Sequence, residues 1–200
     1  MAFVNKLNKE IVLKLAYHGP GLGGKTTNLR MIAETLPADR HGEILTLDTA
    51  TERTLFFDFL QVSLGEIAGW DTRLHLYTVP GQMYYGASRK LILKGVDVIV
   101  FVVDSQEARL TDNEQSELLL LNDFREIGID HTDIPLVVQY NKRDLVDRTP
   151  MEILEARFNP RGAPSHEAIA RHGVGVMETL ATAATLGVRR LAEGSGGGKD

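Results

Sequence analysis

Nine consecutive residues, Gly19-Pro20-Gly21-Leu22-Gly23-Gly24-Lys25-Thr26-Thr27, carry the most specific chemistry in this chain of 200 residues. They fit the phosphate-loop pattern of glycine, four residues, glycine, lysine and threonine. Glycines let the backbone turn tightly and bring several N–H groups onto phosphate oxygens. The lysine reaches the β and γ phosphates, and the hydroxyl after it ligates Mg²⁺. On this reading Gly19, Gly21, Leu22, Gly23, Gly24, Lys25, Thr26 and Thr27 hold the phosphates of a nucleoside triphosphate, with Thr26 on the metal. A side chain at Gly21 or Gly24 is expected to place a Cβ where phosphate must sit. The pattern alone leaves ATPase, kinase and GTPase open.

A second constellation, Asn141-Lys142-Arg143-Asp144, follows an apolar run and points to the base. A carboxylate at Asp144 can accept from N1–H and the 2-amino group of guanine, which adenine does not present. Asn141 can donate toward O6 or N7, and Lys142 can lay its aliphatic stem over the ring. Alone these four residues are a charged turn; after a phosphate loop they favour a guanine nucleotide.

Both constellations need a parallel sheet to position them. Residues 11–17 read as the strand that feeds the phosphate loop, and Leu29, Ile32, Ala33 and Leu36 fall at helical spacing after it, up to Pro37. Residues 1–10 read as a polar lead-in, Lys14 as a solvated or edge-facing side chain, 43–47 as a short β-like run and 48–53 as loop. Residues 54–62 and 72–79 read as two strands joined as a hairpin through 65–71, which makes the sheet mixed. A helix at 84–93 and a near-continuous apolar strand at 96–103 follow. Then come a helix from 107 to Gly128, with the leucines of 118–121 as core, a strand at 134–140, a helix at 150–158, a short strand at 165–168 and a last helix at 174–192. The expected fold is α/β: a P-loop domain over 1–192 with a six-stranded mixed sheet, room for one extra short strand and helices on both faces. Residues 193–200 form a glycine-rich flexible tail.

Composition narrows the function classes. A net charge of −5 with no run of Lys or Arg argues against a nucleic-acid partner. With no cysteine there is no disulfide, no Cys-based metal site and no prenylation, and Ala2 stands where myristoylation needs glycine. No signal peptide or membrane span is expected, which fits a cytoplasmic chain without a lipid anchor. The six histidines show no metal-ligand spacing.

The order of phosphate loop, Pro80-Gly81-Gln82 and Asn-Lys-x-Asp resembles the small Ras-like GTPases, from Lys9 to Ala192. The phosphate loop, Thr78-Val79-Pro80-Gly81-Gln82 and Gln139-Tyr140-Asn141-Lys142-Arg143-Asp144-Leu145 look closest to the bacterial polarity and gliding-motility branch of that family. The resemblance implies a GTP/GDP switch with Mg²⁺, monomeric on its own and recruited to a cell pole. It also implies a Roadblock-fold activating partner and effectors of polarity and motility. It assigns Gln82 to the attacking water and Gly81 to nucleotide binding, and it requires a switch threonine on Mg²⁺, for which Thr49, Thr51 and Thr54 are available and Thr54 is chosen. Arg53 is expected as an arginine finger supplied in cis. The family's last guanine loop is degenerate here, and Ala168 and Ile169 are placed near the base by counting back from Gly173. Where the family carries an aspartate that holds Mg²⁺ through water, this chain has Thr78, a neutral and weaker group. That departure keeps a nucleotide-binding module without turnover as the alternative, ahead of a phosphotransferase.

Overall fold

Alternation of apolar strands with amphipathic helices gives this chain eight strands and five helices among the residues described by the computed structural model, 2–48, 56–81 and 86–195. In chain order they are β1 (Phe3–Asn5), β2 (Glu10–His18), α1 (Lys25–Thr35), β3 (Leu45–Asp48), β4 (Phe56–Ile67), β5 (Trp70–Thr78) and α2 (Gly86–Leu93). There follow β6 (Val98–Asp104), α3 (Leu110–Glu126), β7 (Leu136–Asn141), α4 (Met151–Phe158), β8 (Ser165–Glu167) and α5 (Val176–Ser195).

The strands form one sheet in the order β3-β4-β5-β2-β6-β7-β8, with β1 added against the first half of β2. β4 runs antiparallel to β3 and to β5, β1 runs antiparallel to β2, and the remaining pairs are parallel. The result is the Ras-like P-loop arrangement with eight strands. The expected extra strand is β3. The eighth is β1, which pairs Phe3 with Val12 where the sequence suggests only a lead-in; three residues are too few for alternation to register.

The hairpin is tighter than expected. Ile67 pairs with Trp70, so Ala68 and Gly69 alone make the turn, with φ of 52° and 83°. Both residues in the left-handed region is the two-residue geometry whose twist matches that of the strands it joins. Higher up, a bulge between Ser63 and Gly65 shifts the pairing by one residue.

Side chains alternate along each strand, so the sheet has two apolar faces. On one, Leu13, Leu15, Tyr17, Leu60, Leu74 and Val100 pack against Leu29 and Ile32 of α1 and Leu180 and Ala183 of α5. On the other, Ala16, Ile99, Phe101, Val138 and Tyr140 pack against Ile92 of α2, Leu120 and Phe124 of α3, and Leu154 and Phe158 of α4. In the leucine run of α3, Leu120 is buried but Leu118 is exposed, because the helical turn carries it off the buried stripe.

Lys14 is partly exposed, as the sequence suggests, but its ammonium is not left to solvent alone. It points to the α2 face of the sheet, where its ammonium donates to the carbonyls of Leu91 (3.3 Å) and Lys94 (3.0 Å) and lies 5.1 Å from the centroid of the Tyr77 ring. Burial lowers its pKa, with Asp97 acting the other way. A cation at the carbonyl end of a helix is favourable, so Lys14 anchors the end of α2. A buried ion pair between Arg89 and Asp123 (2.6 Å) holds α2 to α3. α5 extends three residues past the expected end at 192. No helix among the described residues is long and apolar enough to cross a membrane.

Candidate functional site

The chain leaves β5 on one side of β2 and returns as β6 on the other. The carboxyl end of β2 is therefore the switch point of the sheet, where open α/β sheets bind ligands. Gly19 to Gly24 follow there, and α1 starts at Lys25 with its first N–H groups free to meet an anion. Gly24 sits at φ 105°, and a Cβ on it would stand 2.1 Å from the Asn141 side-chain amide. The need for glycine at this position thus comes from the base loop behind it. Around Gly21 there is open space, as expected for a loop that faces phosphate.

Lys25 is buried and donates to the carbonyls of Gly19 (2.8 Å) and Pro20 (2.7 Å). Burial pulls its pKa down to about 8, and the nearby Asp58 carboxylate works against that fall. An ammonium held on carbonyl oxygens is poised for stronger acceptors.

Asp58, which has no role in the sequence reading, is the organising acid beside Thr26. Its Oδ2 accepts from the hydroxyls of Thr26 (2.5 Å) and Thr78 (3.1 Å), and its Oδ1 from that of Thr46 (2.9 Å). The Asp58 N–H in turn donates to the Thr78 hydroxyl at 2.8 Å. Three hydroxyls and one buried carboxylate are the oxygen donors a hard cation takes. The residues therefore fit Mg²⁺ without an acid at position 78: the carboxylate comes from the neighbouring antiparallel strand.

Thr26, Asp58, Thr78 and Gly81 line a cavity of about 430 Å³ together with Gly21, Gly24, Lys25 and Thr27. Gly81 packs on the phosphate loop itself, where a Cβ would lie 2.5 Å from the Gly21 nitrogen and 2.9 Å from the Gly19 oxygen. A second cavity of about 220 Å³ adjoins it, sharing Leu22, Gly24 and Thr27 and lined further by Asn141, Lys142, Asp144, Leu145, Ile169 and Ala170.

In that base-side cavity Asp144 meets the guanidinium of Arg171. Lys142, at φ 65°, donates to Asp104 (2.5 Å) and Gln106 (3.3 Å). Asn141 ties two loops together: its amide donates to the Gly23 carbonyl at 2.8 Å and its oxygen accepts from the Ala170 N–H at 2.9 Å. Ala168 is buried beneath the cavity, its N–H on the Tyr140 carbonyl and its own carbonyl accepting from the Arg143 N–H, while Ile169 lines the wall. Arg53, Thr54 and Gln82, with Thr49 and Thr51, lie outside the described residues.

Among curated proteins, the chain is 50% identical over 194 residues to the Mutual gliding-motility protein MglA of Myxococcus xanthus (strain DK1622), spanning 97% of this chain and all of that protein. The chain belongs to the MglA family. No family model matches it. In this MglA-family chain the phosphate loop, the Asp58 cluster and the Asn141 to Asp144 loop meet at one end of the sheet, 32 to 118 residues apart in sequence.

Proposed function

We propose that this chain is a small GTPase, a GTP/GDP switch that hydrolyses GTP to GDP and phosphate and controls cell polarity and motility from the cytoplasm and a cell pole. The observation that supports the reading is the pair of adjoining cavities on the phosphate loop: one is lined by Asn141, Lys142 and Asp144, where a guanine base would lie, the other by Lys25, Thr26 and Asp58, where its phosphates would lie. Thr26, Asp58 and Thr78 would hold Mg²⁺, which would supply charge compensation at the phosphates. The remaining work falls to the protein. Lys25 neutralises the transferred group, Gln82 orients the attacking water, Thr54 would help to hold the metal beside the γ-phosphate, and Arg53 meets the developing charge in cis.

An MglB-like partner of the Roadblock fold then needs only to position Arg53 and Gln82. Thr78 is the reason to consider a module without turnover; the Asp58 carboxylate that accepts from its hydroxyl supports turnover instead, since it offers a charged group beside Thr78.

The test is the nucleotide content of freshly purified protein, followed by phosphate release from GTP and from ATP with and without the partner. Guanine nucleotide with slow, partner-stimulated release from GTP alone is expected. Gln82→Leu should keep GTP bound and stop its hydrolysis. Arg53→Ala should slow partner-stimulated release by about 10³ to 10⁵, or roughly 4 to 7 kcal/mol of barrier. Equal turnover of ATP, or no guanine nucleotide bound, rules the reading out.

A further inference from the structure

Asp104 closes β6 with a fully buried carboxylate. A buried charge needs partners, and this one is shared between two loops. Its Oδ2 accepts from the Lys142 ammonium at 2.5 Å and lies 3.7 Å from Nε of Arg109, while its Oδ1 accepts from the Gln106 N–H at 3.2 Å. The backbone behind it is fixed. The side chain of Asn113, itself fully buried, accepts from the Asp104 N–H and donates to the Asp104 carbonyl, each at 2.9 Å. The carboxylate therefore has little freedom to follow a partner that moves.

Arg109 ends the short 3-10 turn Glu107–Arg109 that leads into α3. Its guanidinium is a rigid fork with three occupied edges: Nε faces Asp104, Nη1 meets Asp112 at 2.5 Å, and Nη2 donates to the Gly21 carbonyl at 2.6 Å. Gly21 is the phosphate-loop residue that borders open space on the phosphate side. A cation on its carbonyl fixes the Gly21–Leu22 peptide plane, and the trans peptide then sets the Leu22 N–H on the opposite side. On the base side, Lys142 is a non-glycine residue in the left-handed region, a backbone conformation that persists only where its surroundings hold it. Its ammonium on Asp104 adds to the backbone bonds that flank it, from the Arg143 N–H to the Ala168 carbonyl and from the Leu145 N–H to the Lys142 carbonyl.

We propose that Asp104 and Arg109 are positioning residues that couple base recognition to phosphate recognition, by tying Lys142 of the base loop and Gly21 of the phosphate loop to one immobile carboxylate. The coupling rests on the guanine-nucleotide reading above and goes beyond the direct tie from Asn141 to Gly23. Neither residue touches nucleotide. Both set where the residues that do touch it stand, so a disturbance at one end of the ligand is felt at the other.

The experiment is the dissociation of a fluorescent GDP, chased by excess GDP in millimolar Mg²⁺, from the full chain and its variants. Arg109→Ala should speed release about tenfold, as expected for loss of a charge-assisted hydrogen bond. Arg109→Lys should recover only part of this, because one ammonium cannot span Asp104 and Gly21 together. Asp104→Asn should also speed release, and adding Arg109→Ala to it should have little further effect. The readout that separates coupling from a loosened loop is base preference. Although Arg109 faces the phosphate loop, Arg109→Ala should reduce the preference for GDP over IDP, which lacks the 2-amino group. Release within twofold of wild type, an unchanged GDP/IDP ratio, or effects of the two substitutions that multiply independently would each overturn the coupling. The Arg109→Ala measurements decide it even if Asp104→Asn does not fold. Failure of the wild-type chain to bind GDP at all would instead overturn the reading on which it rests.

Discussion

The Thr26 hydroxyl lies 2.5 Å from a carboxylate oxygen of Asp58, a residue 32 positions later on the hairpin strand β4. The threonine that ligates metal in a phosphate loop is thereby matched to an acid that comes from a different strand than the Thr78 box. Asp58→Asn keeps the shape and removes the charge. It is expected to raise the Mg²⁺ concentration needed to retain GDP by about tenfold, in line with roughly 1.5 to 3 kcal/mol for a hydrogen bond to a charged group. Titrating Mg²⁺ against the GDP dissociation rate checks this. An unchanged Mg²⁺ midpoint would leave Asp58 as a purely structural acceptor for three threonines.

Asp58 shows where the sequence stopped being readable. An acid inside Phe56-Phe57-Asp58-Phe59-Leu60 is visible as an oddity, but its partner across the hairpin depends on register. Near the turn, Ile67 faces Trp70 and Glu66 faces Asp71; carried on unchanged, that register sets Asp58 opposite Val79. The bulge at Ser63/Gly65 shifts the count by one, pairs Phe59 with Tyr77, and so brings Asp58 to Thr78. A one-residue slip changes which side chains meet; the local cue is Gly65, at φ 78° in the bulge, which the sequence reading assigns to the hairpin connection instead. The phosphate loop and the Asn141 to Asp144 loop were legible because their chemistry lies in contiguous residues. The anchoring role of Lys14 is not legible for the opposite reason: its partners are helix-end carbonyls, which have no sequence signature.

Gly81 touches the phosphate loop backbone rather than a side chain that could move aside. Gly81→Ala places a methyl group 2.5 Å from the Gly21 nitrogen and 2.8 Å from the Pro20 carbonyl carbon. The loop must shift, at about 1 to 3 kcal/mol by analogy with overpacked interiors. Because the shift falls on residues that face phosphate, nucleotide affinity should drop at least tenfold while the far end of the sheet is unaffected. Calorimetric titration with GDP, alongside a thermal melt, checks both halves. Affinity equal to wild type would mean that the loop absorbs the methyl group without moving.

On the proposed guanine reading, Asp144 would meet the base with two accepting oxygens. Asp144→Asn exchanges one acceptor for a donor, which suits xanthine, whose 2-position carries an oxygen. The variant should lose affinity for GTP and gain it for XTP, narrowing or reversing the preference. Competition between the two nucleotides for the purified variant measures the ratio directly. If discrimination is unaltered, the base is read by other residues of the cavity.

His18 closes β2 immediately before the phosphate loop and is almost fully buried. Its Nδ1 lies 3.3 Å from the Ser116 hydroxyl, and its ring stacks on Phe101 with centroids 6.1 Å apart. Burial first, then the positive charges of Lys25 and Arg89, hold its pKa down at about 3, against an ordinary 6.5. The folded protein therefore keeps His18 neutral over a pH range in which the unfolded chain takes up a proton. The stability this contributes is fully present above pH 6.5 and is lost as pH falls from 6.5 toward 3, at about 1.4 kcal/mol per pH unit. Substitution His18→Gln keeps a neutral polar side chain and removes the titration. In urea unfolding at pH 7.5 and 5.5, the wild type should lose about 1.4 kcal/mol more than the variant, since acid titration of the carboxylates is common to both. Parallel losses in the two proteins would mean that His18 takes up its proton in the fold as readily as in the open chain, against the burial and the two cations that surround it.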